Sequence, residues 1–318
     1  MAVKDTYVED QDWDDKYRWR GDVDDLEHRI PLEVDAHTEL GRTDSDKVVR
    51  LVNWKNYPRK QMYRIWMELC PRGTMEWVRR HYDRDGQAKI PEPSLRHLFG
   101  SLVDVAILME TGALDIDEEA VRESYVHRDM KPENVFQVDY SATHFAAYPT
   151  PKLGNFGLAI RLDAEFDLIM NPVGVNNGTG SRGFVAPEQS ARIFEQNGAS
   201  QPQLKSWIHV WGIGITLLSL INLVAQPPAQ THRNDDDPVS PGFTAYGNRY
   251  SEALRNTVQH RSAGHPAERP DLALLRQIID HCTKPPTGNP DEAEDRRSGR
   301  YAELNSSRLA RTSTLSRH

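Results

Sequence analysis

The sequence predicts an α+β chain, with a small β-rich amino-terminal part and a larger, mostly helical remainder. Three observations predict it. The stretch before residue 71 holds two short runs of β-branched and aromatic residues, Val48–Val52 and Tyr63–Met67, a composition that suits a pleated, half-buried surface. Beyond Thr74 apolar residues recur at spacings of three and four, as in Leu95, Leu98, Leu102, Val105 and Leu108, which lines one face of a helix. A nearly unbroken apolar stretch, Val210 to Ala225, reads as a helix buried on all sides. With 318 residues, 38% of them hydrophobic, the chain can form one large two-lobed domain or two ordinary ones.

Taken in order, the chain opens on Met1-Ala2-Val3-Lys4, read as a strand end or as a frayed charged terminus. The acidic, Trp-containing stretch Glu9 to Asp25 reads as a solvated loop. Ile30 to His37 reads as a helix, because Pro31 stands early, where its missing N–H costs little, and Leu32, Ala36 and Leu40 fall at helical spacing. Two strands follow, with Asn56-Tyr57-Pro58 in the loop between them. Thr74 to Arg84 is a helix with Thr74 as its N-cap, and Pro91-Glu92-Pro93 leads into the striped helix. Gly112 to Glu123 reads as an exposed acidic insertion. Val135–Val138 is a short strand whose hairpin returns at Pro151–Gly154, and residues 158–179 carry enough Asn and Gly to suggest mobility. From about Thr283 the composition turns to Pro, Gly, Ser and charge, which reads as a disordered basic tail or a docking segment.

Bulk properties exclude several classes. A net charge of −8 offers no electrostatic case for nucleic-acid binding. The run at Val210 is too short for a membrane span and contains Ser219 and Asn222. Two cysteines, Cys70 and Cys282, make no disulfide framework. With no signal-peptide pattern at Met1, they point to a reducing intracellular compartment, cytoplasmic or nuclear. The histidines form no zinc-ligand spacing with the cysteines.

The chemistry concentrates in His127-Arg128-Asp129-Met130-Lys131-Pro132-Glu133-Asn134. A carboxylate at Asp129 can accept a proton from an attacking hydroxyl. An ammonium at Lys131 can offset charge on a moving phosphoryl group, and an amide oxygen at Asn134 can ligate Mg²⁺. This octapeptide resembles the catalytic loop of protein kinases, H-R-D-x-K-P-E-N, at every fixed position. Lys131 favours the Ser/Thr class. The resemblance implies a bilobal kinase-like fold, with residues 1–70 as N-lobe and hinge, 71–282 as C-lobe and 283–318 as tail. ATP would lie between the lobes and a protein substrate or partner would dock outside, with no nucleic acid or membrane involved.

Other motifs take their roles from that resemblance. Met1–Lys4 is similar to the end of the strand carrying the phosphate-binding lysine, and Glu33 is its expected partner. Met67-Glu68-Leu69-Cys70-Pro71 resembles the hinge, with Met67 as gatekeeper and the main chain of Glu68 and Cys70 facing adenine. Asn155-Phe156-Gly157 stands where kinases carry D-F-G. Gly180 to Glu188 resembles the segment ending in A-P-E, with Ser181 in place of the usual threonine and Arg269 expected to pair with Glu188. His209 occupies the place of an aspartate that accepts main-chain N–H bonds from the catalytic loop, so a less firmly held loop is expected.

Three departures bear on activity. No G-x-G-x-x-G loop stands before Lys4, so the first two strands of the N-lobe are expected to be missing. Asn155 replaces the chief Mg²⁺ carboxylate, which leaves neutral amides at 134 and 155 for a hard cation and puts Mg²⁺ binding in doubt. His209 carries no charge. Two functions follow: a Ser/Thr kinase of reduced efficiency, or a pseudokinase that serves as a binding module.

Overall fold

The computed structural model describes residues 1–43, 45–86, 88–112, 124–140, 147–162, 179–189, 204–227, 242–261 and 266–282. The expected insertion at Gly112 to Glu123, most of residues 158–179, and the tail from Thr283 onward lie outside the described residues.

The amino-terminal part is a three-stranded antiparallel sheet in the order β1 (Ala2–Tyr7), β5 (Met62–Met67), β4 (Leu51–Tyr57). Lys4 stands opposite Ile65, so its side chain shares the face that meets helix α2 (Leu32–Gly41). Pro31 is the N-cap of α2, and Val34, Ala36, His37 and Leu40 are buried on it. Leu32, expected on the apolar stripe, is only half-buried.

The strand expected at Val48–Val52 is corrected. The sheet strand begins at Leu51 and runs through Tyr57, past the expected loop, and turns at Pro58–Lys60. Val48 instead bridges Leu153 in parallel, and the Val49 N–H bonds the Leu153 carbonyl at 2.8 Å. Both valines are buried, so they serve as a link to the lower part of the molecule rather than as a half-exposed strand.

The solvated loop expected at Glu9 to Asp25 is also corrected. It forms helix α1 (Asp10–Trp13), a 3₁₀ turn at Lys16–Arg18 and strand β2 (Trp19–Arg20), which pairs with β3 (Ile30–Pro31). Trp13 and Trp19 are 4% and 2% exposed and join Val34, Tyr63 and Ile65 in a separate small core. Counting charge along the stretch misses this, because two indoles outweigh many carboxylates that stay in water.

The larger part is helical. Helices α3 (Met75–Asp85) and α4 (Glu92–Thr111) lead to β6 (Ser124–Val126). Thr74 caps α3, its hydroxyl accepting the Trp77 N–H at 3.4 Å, and all five leucine and valine stripe residues of α4 are buried. Strands β7 (Val135–Tyr140) and β8 (Pro149–Leu153) form the hairpin, and β9 (Ile160–Leu162) pairs with β6.

The expected core helix is α5 (Trp207–Asn222), three residues earlier at each end than the apolar run. Leu223 turns left-handed at φ 55°, Ser219 Oγ donates to the Val224 carbonyl, and Asn222 binds residues 242 and 244. The two polar residues in the run therefore end the helix. Among the described residues no helix is long and apolar enough to cross a membrane. Helices α6 (Glu252–Arg261) and α7 (Leu272–Cys282) pack on α5 and α4 respectively.

Candidate active site

The segment between β6 and β7 is bent into a loop whose centre is Asp129. Arg128 adopts a left-handed backbone at φ 62° and its Nε donates to the Leu158 carbonyl at 2.6 Å. Burial lowers its guanidinium pKa to about 10, with the charge of Arg18 adding to the effect. One Asp129 oxygen accepts the Ser181 N–H at 2.9 Å, and the other accepts Asn134 Nδ2 at 3.0 Å. Lys131 Nζ lies 3.4 Å from the same carboxylate and donates to the Ser181 hydroxyl.

A chain of side chains continues upward. Asn134 Oδ1 accepts Asn155 Nδ2 at 2.9 Å, and Asn155 Oδ1 accepts Lys4 Nζ at 2.8 Å. Lys4 Nζ also donates to Glu33 Oε1 at 2.6 Å. The amide orientations follow from the ends of the chain: an ammonium only donates and a carboxylate only accepts, so each oxygen and nitrogen between them has a single consistent place. Asn155 sits at φ 64°, ψ 62°, a left-handed conformation that asparagine tolerates better than most residues. Gly157 lies beside this cluster, a Cβ there being 3.5 Å from both Glu33 Oε2 and Lys4 Nζ.

Below the cluster runs a buried column. Phe156 is wedged between His37 and His127, with ring centroids at 4.7 and 5.0 Å in edge-to-face contact. His127 Nδ1 accepts the Asp129 N–H at 3.2 Å, and its Nε2 is 3.2 Å from the Gly154 carbonyl. His209, on α5, accepts the His127 N–H through Nε2 at 3.1 Å. Burial drives the pKa of His127 down to about 4 and that of His209 to about 3, the latter lowered further by His127. A neutral imidazole therefore takes one main-chain bond here, and its Nδ1 is buried without a partner. Helix α5 adds a second hold, Thr216 Oγ1 donating to the Met130 carbonyl at 3.1 Å.

The remaining candidates frame the site. Glu188 and Arg269 form a buried bidentate pair at 2.5 and 2.8 Å, and the guanidinium lies 5.1 Å over Trp211. Met67 ends β5. The Glu68 N–H bonds the Arg50 carbonyl and the Cys70 carbonyl accepts the Gly73 N–H. Both bonds use main-chain groups of the two residues expected to face adenine. Burial, then the Glu68 charge, pushes the Cys70 thiol up to about 11.

Two contributors escaped the sequence reading. Tyr63 donates its hydroxyl to Glu33 Oε2 at 2.8 Å, and its signal was its position two and four residues before Ile65 and Met67 on one strand face. Thr216 is a polar residue flanked by apolar ones on helix α5.

Asn134 and Asn155 are neutral, and each amide oxygen already accepts a hydrogen bond from the protein. No group of three His, Cys, Asp or Glu among the described residues could hold a metal. Two neutral amides make a weaker donor set for Mg²⁺ than the carboxylate oxygens it prefers.

The protein kinase domain profile matches residues 1–241. The chain belongs to the protein kinase domain family. Kinases of this family use ATP and a divalent metal in general, and the two-part α+β architecture is theirs. The domain is similar to the G-type lectin S-receptor-like serine/threonine-protein kinase RLK1 of Arabidopsis thaliana, 26% identical over 57% of this chain and 17% of that protein. It is also similar to ribosomal protein S6 kinase alpha-1 of Homo sapiens, at 27% identity over 59% of this chain and 23% of the relative. The interferon-induced, double-stranded RNA-activated protein kinase of Mus musculus is 30% identical over 59% of this chain and 29% of its own length. The kinase domain thus spans less than a third of the curated relatives it matches.

Proposed function

We propose that this kinase domain binds ATP and transfers its γ-phosphoryl group to serine or threonine hydroxyls of a protein, at reduced rate. The observation that carries this reading is the seating of Asp129. Its carboxylate is fixed by the Ser181 N–H at 2.9 Å and Asn134 Nδ2 at 3.0 Å, with Lys131 Nζ 3.4 Å away. A carboxylate held in this way can take the proton that a substrate hydroxyl loses as its oxygen bonds to phosphorus. Lys131 can offset charge on the phosphoryl oxygens, and Lys4, oriented by Glu33, can hold the phosphates that remain on the nucleotide. The Glu68 carbonyl and Cys70 amide are assigned to adenine, and Lys131 supports the Ser/Thr class.

A second reading is a pseudokinase, a kinase fold that binds protein partners with little turnover. The amide chain from Lys4 through Asn155 to Asn134 favours it, because it replaces the metal carboxylate with internal hydrogen bonds. Thermal-shift titration with ATP, with and without Mg²⁺, separates the two, since a ligand that binds only the folded state raises apparent stability. A Mg²⁺-dependent shift followed by phosphate transfer to a protein, abolished in Asp129→Ala, is the result expected of the enzyme. A shift with ATP alone and no transfer favours the pseudokinase, and no shift in a folded chain overturns the ATP reading.

A further inference from the structure

The Glu33 carboxylate is gripped from both sides, by Lys4 Nζ on Oε1 at 2.6 Å and by the Tyr63 hydroxyl on Oε2 at 2.8 Å. The Glu33 side chain is 1% exposed, whereas that of Lys4 is 33% exposed. Burial thus fixes the carboxylate, and the ammonium is positioned by its acceptors. Losing the Tyr63 donor leaves a buried carboxylate oxygen without a partner, a costly state that the side chain relieves by turning away from Lys4. The hydroxyl stays protonated, because burial and then the charge of Glu33 push its pKa well above 10.

Tyr63 is itself held from behind. Trp19 meets its ring edge-on with centroids 6.5 Å apart, and Trp13 meets Trp19 at 4.9 Å. Trp19 Nε1 donates to the Trp13 carbonyl at 3.2 Å. The Arg29 guanidinium lies 4.2 and 3.7 Å from the two indole centroids, and its Nε and Nη2 are buried without hydrogen-bond partners. The π faces of the two indoles and the charge of Asp14 favour this cation against its burial. Strand pairing of Trp19 with Pro31 leads straight into α2, so the aromatic layer is attached to the helix that bears Glu33.

We propose that Tyr63 is a positioning residue for the nucleotide site: it holds Glu33 turned toward Lys4, and the Trp13–Trp19–Arg29 layer holds Tyr63. The proposal rests on the ATP-binding reading above. It assigns the stretch between β1 and α2 a brace for the Lys4–Glu33 pair, built from residues whose chemistry is aromatic packing rather than catalysis.

The test is Tyr63→Phe in the full chain, which keeps the ring and removes the donor. ATP affinity is measured by calorimetric titration in the wild-type and Lys4→Met backgrounds. The expected result is a roughly tenfold weaker Kd in the wild-type background, in line with loss of a hydrogen bond to a charged group, and no further loss with Lys4→Met. Equal losses in both backgrounds, or none in either, overturn the proposal, because a merely structural effect does not depend on Lys4. If the wild-type chain binds no ATP, the functional reading fails and the positioning role with it. The ¹³Cζ resonance of Tyr63 in the ATP-free chain separates that case from a wrong clamp. It moves in Glu33→Gln when the hydrogen bond exists and stays in place when it does not.

Discussion

Asn155 accepts Lys4 on its oxygen and gives its N–H to Asn134, so the atoms that a kinase offers to a metal are spent on each other. Restoring a carboxylate there removes the donor to Asn134 and adds a charge beside the phosphate position. Asn155→Asp is expected to make ATP binding more dependent on Mg²⁺ and to raise transfer. The ceiling is about 3–4 kcal/mol, or roughly 10²–10³ in rate, the scale of one preorganised charge in an active site. The check is the Mg²⁺ dependence of the thermal shift together with the transfer rate. If neither changes, the metal site is not what limits this domain. Arg128 and Asn155 both carry left-handed backbones, at φ 62° and 64°, Arg128 next to Asp129 in the chain and Asn155 linked to it through Asn134. Strain at such positions persists only where surrounding structure over-determines it, and the hydrogen bonds from Arg128 to Leu158 and along the asparagine chain supply that hold.

At the scale of elements, two close contacts decide how the loop and the upper sheet are held. Helix α5 approaches the loop at 127–134 so nearly that a Cβ on Gly212 would stand 2.9 Å from Met130 Cβ. Gly212→Ala is therefore expected to push the loop off α5 and destabilise the fold by about 1–3 kcal/mol, as overpacking does. Chemical denaturation measures it, and an unchanged midpoint would mean the helix and loop separate freely. The small aromatic core above makes a different demand. Trp19→Ala removes an indole that is 2% exposed, together with one face of the Arg29 stack, and is expected to cost about 3–5 kcal/mol. A change below 1 kcal/mol in urea melts would return the stretch from Glu9 to Asp25 to the solvated loop that its charge suggests.

For the whole molecule, the buried column has a consequence for acid stability. His37 and His127 are held at about 4 and His209 at about 3, burial being the first cause in each. Around them, Glu33 and Asp129 favour the charged imidazole, and Lys4 disfavours it at His37. In the unfolded chain all three take protons near pH 6.5. The unfolded state therefore binds more protons as pH falls below that value, and stability present above it is lost toward pH 4. The slope approaches about 1.4 kcal/mol per pH unit for each histidine, or roughly 4 for the three, a large share of the 5–15 kcal/mol typical of folded proteins. Unfolding is expected between about pH 4 and 6, read by circular dichroism. His37→Leu should reduce the slope by about a third. A flat profile down to pH 4 would mean that these histidines are not buried as neutral rings.

Some of this molecule was determined by local sequence. The octapeptide at 127–134 is recognisable from sequence because the kinase pattern specifies every position of it but that of Met130. The stripe on α4 and the Thr74 cap are legible too, since helical period and capping act over four residues. The pairing of Glu188 with Arg269 was legible only through resemblance, 81 positions separating the two. Other features were decided by tertiary packing. Nothing local distinguishes Val48 as a link to Leu153 from a strand residue, and Asn222 finds its partners at residues 242 and 244. The partner that decides each lies far along the chain. The acidic stretch with its two tryptophans folded because a face of α2 and β5 was free to receive them, and the Tyr63 hydroxyl found Glu33 across that same face. Charge and period are properties of neighbours in sequence, whereas burial and the satisfaction of buried polar atoms depend on what the rest of the chain brings alongside.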